Sequence, residues 1–157
     1  MLKKYKSYIV SVLIALAVGG LSALLTKDNM DIYSEINMPS FAPPSIVFAI
    51  VWPVLYVLMG ISSGGVYDAL KEDRERRANL LTTYAVNLGM NFLWSIVFFN
   101  FRAFLFAFIW LVLLAGVIFV MIRQFSTVKK WLGYLQIPYL LWVVFAGILN
   151  FAIYLMN

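Results

Sequence analysis

Five apolar stretches without a single charged side chain take up most of this 157-residue chain: Ser7–Thr26, Ser45–Tyr67, Ala78–Phe101, Ala103–Ile122 and Trp131–Met156. Each reaches the roughly 20 residues with which a helix crosses about 30 Å of hydrocarbon. A chain this short has no core large enough to hide that much apolar surface from water, so lipid must be its solvent. The reading is an all-α membrane protein, a five-transmembrane-helix bundle forming one domain over residues 1–157. The opening Met1-Leu2-Lys3-Lys4-Tyr5-Lys6 before an apolar run also has the layout of a signal peptide. Its run is longer than an ordinary signal core, so an uncleaved first span is expected.

Charge falls in the gaps between spans. The N-terminus holds Lys3, Lys4 and Lys6; the gap after span 2 holds Lys71, Arg74, Arg76 and Arg77; the gap after span 4 holds Arg123, Lys129 and Lys130. The other side has only Lys27 and Arg102. Cations favour the cytoplasmic face, so the N-terminus is expected inside and the C-terminus outside. The net charge of +5 is therefore a topology signal, and nucleic-acid binding is excluded as a function. With no Cys and no His, disulfides, thiolate nucleophiles, Ser-His triads and the usual metal ligands drop out as well. No metal site is expected.

Residues 27–44 form the one long connection, and its Ile36–Pro44 part is uncharged and rich in proline. Such a segment is expected to fold over the bundle mouth as a lid, with Pro43-Pro44 suiting the first turn of span 2. Asp68–Arg77 reads as a solvated extension of span 2 with Glu72 paired to Arg76. Almost nothing separates spans 3 and 4, so they form a tight hairpin. Pro53 should kink span 2 and open space beside it. Gly60 and Gly64 form a GxxxG, which permits close helix contact and in some proteins dimerisation.

Inside the spans, Tyr84, Asn87, Asn91, Trp94 and Phe98 follow steps of 3 and 4 and share one helix face. Buried amides must be partnered, so this face looks into the bundle. Two readings stand: interhelical hydrogen-bond glue, or a cavity whose amides orient a ligand. Trp142, Ala146 and Asn150 share a face of span 5 at i,i+4 spacing. Trp131 sits where an interfacial belt residue would, whereas Trp52, Trp110 and Trp142 lie deeper and suit either packing or a flat ligand. No span carries Asp, Glu, Lys or Arg, which disfavours ion-coupled transport and leaves hydrolysis without an acid, base or nucleophile. The residues by themselves describe a binder of apolar, aromatic compounds.

Three ordered segments carry a resemblance. Met38-Pro39-Ser40-Phe41-Ala42-Pro43-Pro44, with Val51-Trp52-Pro53-Val54-Leu55-Tyr56 after it, resembles the loop-1 and second-helix signature of the TspO/MBR family of tryptophan-rich sensory and translocator proteins. Asn91-Phe92-Leu93-Trp94-Ser95 is similar to its third-helix motif, and Pro138-Tyr139-Leu140-Leu141-Trp142 through Asn150 to its fifth. The resemblance implies a homodimeric cell-membrane protein (mitochondrial outer membrane in a eukaryote). It binds porphyrins as non-covalent ligands, and isoquinoline-carboxamide or benzodiazepine-type compounds in the same place. It also implies light- and oxygen-dependent porphyrin degradation involving Trp52 and Trp142; whether that amounts to enzymatic turnover stays open. Tyr33, Pro44, Asn87, Asn91, Trp94 and Ala146 join them as ligand-binding residues, with Lys27 and Arg102 the candidates for pairing with propionates. Transport of tetrapyrroles, and sensing through a partner, are the alternatives. Sterol recognition is doubtful, because Tyr154 precedes Leu155-Met156-Asn157 without the basic residue of the animal pattern.

Overall fold

The computed structural model describes residues 3–157; Met1 and Leu2, which head the signal-like run, lie outside the described residues. It holds α1 (Lys6–Thr26), a 3-10 turn (Lys27–Asn29), α2 (Ile32–Glu35) and α3 (Ser45–Ala69). Then come α4 (Arg74–Ser95) running into a π turn (Ile96–Asn100), α5 (Phe104–Val128), α6 (Lys130–Tyr134) and α7 (Ile137–Met156). Five of these segments are long and apolar enough to cross a membrane. Their outward faces are apolar too, with Leu13, Ile46, Leu113 and Leu141 all more than half exposed. That is the inverse of a water-soluble bundle, as expected where lipid takes the place of water.

Helix α1 packs on α3 and α4, and α5 packs on α4 and α7. Glycine makes the first contact possible. A Cβ on Gly60 would strike the backbone of Val12, and one on Gly64 would lie 2.8 Å from both the Ser7 carbonyl oxygen and Tyr8 Cα. The GxxxG therefore serves packing within the chain, and a homodimer would have to use another face. Farther along, the ring of Tyr56 lies where a Cβ of Gly19 would be. Pro53, inside α3, supplies no N–H for the Ala49 carbonyl.

Two boundaries differ from expectation. The charged run after α3 is not an extension of that helix. Leu70 to Asp73 make a turn, and Asp73 caps α4 by accepting from the Arg76 N–H at 3.2 Å. A carboxylate at this position satisfies an orphan helix donor, which Glu72 in mid-turn could not do. The ion pair present is Lys71–Asp68 at 2.9 Å, and its hydrogen bond holds the Lys71 ammonium above the ordinary lysine range. Arg76 instead reaches the Thr127 hydroxyl at 2.7 Å, tying this turn to the end of α5. The second difference is that α5 runs on to Val128, so Arg123 is a helical residue and not part of a loop. Long basic side chains at a helix end extend toward the interface, so Arg123 need not terminate the span.

Candidate functional site

A cavity of about 500 Å³ lies between α1, α3 and α4. Gly20, Ala23 and Thr26 of α1 form one wall, and Phe48, Ala49, Trp52, Pro53 and Tyr56 of α3 the next. Asn91, Trp94 and Ser95 of α4 close the back, joined by Phe99 from the π turn. Met30 and Tyr33 of the long connection form the roof. No charged side chain lines it, and its polar groups are hydroxyls, one amide and two indoles.

The connection is fastened as a roof at four points. Tyr33 stacks on Phe48 at 5.7 Å between ring centroids and meets Phe99 edge-on at 5.8 Å, while Ile32 is fully buried. Asn29 donates to Asn100 at 2.7 Å, and Glu35 forms an ion pair with Arg102 of the α4–α5 hairpin. Asn37 and Asn157 exchange hydrogen bonds, the Asn37 N–H donating at 3.1 Å and Asn157 Nδ2 returning at 3.0 Å. Arg102 adopts φ 50°, a left-handed value uncommon for a residue with a Cβ. Both partners of its ion pair are near half exposed, so the pair contributes less than about 1 kcal/mol and acts on the roof alone. Glu35→Gln is therefore expected to leave the melting temperature nearly unchanged. It should speed amide hydrogen exchange over residues 28–38 by up to about fivefold, the equivalent of about 1 kcal/mol. Mass-spectrometric exchange checks this.

A buried chain of hydrogen bonds starts at the cavity wall. The Tyr56 hydroxyl donates to Asn91 Oδ1 at 2.9 Å, and Asn91 Nδ2 donates to the Tyr139 hydroxyl at 2.8 Å. Tyr139 in turn donates to Asn87 Oδ1 at 2.6 Å. One turn toward the roof, Trp94 Nε1 donates to Asn150 Oδ1 at 3.2 Å, and Asn150 Nδ2 to the Phe104 carbonyl at 2.8 Å. The stripe on α4 is thus buried throughout, and its amides join α3, α4 and α7. Glue and cavity are both present. Asn87 serves only the first, while Asn91 serves both.

Of the residues singled out in the sequence, Tyr33, Trp52, Asn91 and Trp94 meet at this cavity. Pro44 is at the N-cap of α3, where its carbonyl accepts from Val47, and does not line it. Asn87 and Ala146 are buried in the interhelical packing. Trp142 lies behind Phe48, ring centroids 5.5 Å apart, and faces a separate apolar groove between α3 and α7. Helix α7 is therefore not a wall of the cavity, because Phe48 fills the space between them. Lys27 follows the last lining residue of α1, and Arg102 is held by Glu35. Sequence reasoning missed Tyr56, Phe48 and the glycine-rich face of α1. Tyr56 carried a usable signal, lying four residues after Trp52 on the same face. The α1 face carried small residues beside Leu16 and gave none.

Fold and site together define a polytopic membrane protein with an uncharged, indole-lined cavity under an extramembrane roof. Comparison with known proteins makes this specific: the chain belongs to the TspO/MBR family, whose model matches residues 11–155. It is 34% identical over 151 residues to the tryptophan-rich protein TspO of Archaeoglobus fulgidus, covering 95% of each chain. It is 34% identical to protein CrtK of Rhodobacter capsulatus over 80% of this chain and 78% of that one. To the translocator protein of Homo sapiens the identity is 30%, over 78% and 72%.

Proposed function

We propose that the cavity binds a flat, largely apolar aromatic guest and that a tetrapyrrole of the protoporphyrin type is the class it suits. The observation that supports this best is the presence of two indoles, Trp52 and Trp94, on one uncharged space of about 500 Å³. Indole faces stack on planar π-systems, and the volume falls within the range of small-molecule sites. Isoquinoline-carboxamide and benzodiazepine-type compounds would share the space. With Arg102 already paired to Glu35, Lys27 is the cation left at the cavity edge for a propionate.

Under light, a bound porphyrin passes its excitation to oxygen, and Trp52 is the indole placed to react at the ring. Trp142 would act from behind Phe48, without touching the guest. The protein's part is confinement and orientation. On the cation distribution, the roof would face outward from the cell membrane.

Quenching of tryptophan fluorescence by protoporphyrin tests the binding. Trp52→Phe should remove a substantial part of the quenching, Trp94 supplying the rest, and Trp142→Phe little of it. Gly20→Leu adds a side chain where a Cβ has no atom within 4 Å, so the fold should survive while affinity falls at least about tenfold. Unchanged affinity in Gly20→Leu places the guest elsewhere. Product formation on illumination that is unaltered in the double Trp52→Phe, Trp142→Phe variant removes the indoles from the photochemistry. Porphyrin flux across proteoliposomes would favour transport.

A further inference from the structure

We infer a second, buried site that binds water, one helical turn beyond Asn87 at the end of the bundle opposite the roof. The hydrogen-bond chain itself points there. Tyr56, Asn91 and Tyr139 each donate away from the cavity, and the chain finishes on the Asn87 amide. Asn87 Nδ2, with two N–H groups to place, meets only the thioether of Met59 at 4.0 Å. A thioether is a weak acceptor, so the series of donors lacks a proper end.

Three helices bring further polar groups to the next level. Pairing of Asn87 with Tyr139 and of Trp94 with Asn150 shows that α4 and α7 run the same way. Pairing of Tyr56 with Asn91 and Met59 with Asn87 shows that α3 runs against them. One turn on from these pairs therefore lie Tyr84 on α4, Gln136 at the start of α7, and Ser62 and Ser63 on α3. Ser62 donates to the Leu132 carbonyl at 2.6 Å, which fixes α3 one turn from Gln136.

Gln136 is fully buried, yet neither its Oε1 nor its Nε2 has a partner, and the buried Tyr84 hydroxyl has only the Ser63 side chain beside it, without a well-aligned hydrogen bond. An amide and a phenol withdrawn from water without well-aligned partners each carry a desolvation penalty. Counted by helical turns they stand at one level of two parallel helices, beside an amide that still has N–H groups to donate. A molecule that accepts from Asn87 Nδ2 and the Tyr84 hydroxyl and donates to Gln136 Oε1 serves three of these four groups at once. The spans supply no carboxylate for a cation and no cation for an anion, so the occupant is neutral. Water, with two to four such partners, is the neutral molecule of that size and valence. The site depends on no assumption about the guest of the cavity.

Thermal unfolding of the full chain in lipid nanodiscs tests this by sign. If water bridges the groups, Gln136→Leu and Tyr84→Phe each strand a partner and lower the melting temperature by about 5 °C. The double variant then falls by clearly less than the sum, because both lose the same bridge. If the level is dry, each substitution removes an unsatisfied polar group and raises the melting temperature, which overturns the inference, as does strict additivity. Should a variant fail to fold, the wild-type protein decides. Magnetisation transfer from water to the side-chain amides of Gln136 and Asn87 is expected in its NMR spectra, and its absence from both refutes the site.

Discussion

Gly64→Val should lower the melting temperature by about 10 °C. Residue 64 has no room for a side chain: a Cβ there would lie 2.8 Å from the Ser7 carbonyl oxygen and from Tyr8 Cα, both backbone atoms that cannot rotate away. Either α1 moves off α3 or the start of α1 unwinds. In lipid the separation is not opposed by any hydrophobic force, since the exposed faces would find acyl chains, so close packing is what holds the two helices together. Overpacking of this kind costs about 3 kcal/mol, and for a chain of this length each kcal/mol is worth about 2–4 °C. The control is Gly116→Ala on α5, where an added Cβ meets nothing within 4 Å. Better helix propensity should leave that variant equal to the parent or slightly more stable. Similar losses in both would mean that glycine at position 64 is not a contact requirement.

Asn91→Leu is the second large effect. The change takes the acceptor from Tyr56 and the donor from Tyr139, leaving two buried phenols short of a partner at once. Each such loss costs about 1–3 kcal/mol, so a combined destabilisation of about 3 kcal/mol is expected in thermal unfolding. The substitution also alters the cavity wall, and protoporphyrin affinity should fall with it. Asn87→Leu separates the two roles. It removes the acceptor of Tyr139 but does not line the cavity, so it should destabilise while guest affinity holds. Equal losses of affinity in the two variants would show that the chain acts on the guest only through stability.

The parts of this protein visible in its sequence are those set by solvent and by helical period. Lipid demands uncharged stretches of fixed length, and all five were readable from the absence of Asp, Glu, Lys and Arg. The α4 stripe was readable because Tyr84, Asn87, Asn91, Trp94 and Phe98 repeat with the helix and are all buried. Charge was a poorer guide to where helices stop: Arg123 lies within α5, and Asp73 opens α4 where an extension of α3 was expected. Those ends depend on capping and on side chains long enough to reach the interface. The cavity's outline was the least visible part. Trp142 has the spacing of a lining residue, yet Phe48 stands in front of it, and which of two aromatic rings faces a space depends on interhelical distances that no single helix encodes.

The π turn at Ile96–Asn100 carries a consequence for how this hairpin tolerates change in length. Its widened coil, with the Phe101 N–H bonded five residues back to Ile96 at 3.2 Å, accommodates one residue more than regular α geometry would. Deleting a single residue there would let the segment close into ordinary helix with both flanks keeping their facing, whereas the same deletion one turn earlier, in the regular coil of α4, would swing everything after it by about 100°. Asn100 would then turn away from Asn29, Arg102 from Glu35, and Phe99 from the guest's space. A one-residue deletion far from any charged or reactive group would thus unroof the protein while leaving its five crossings intact.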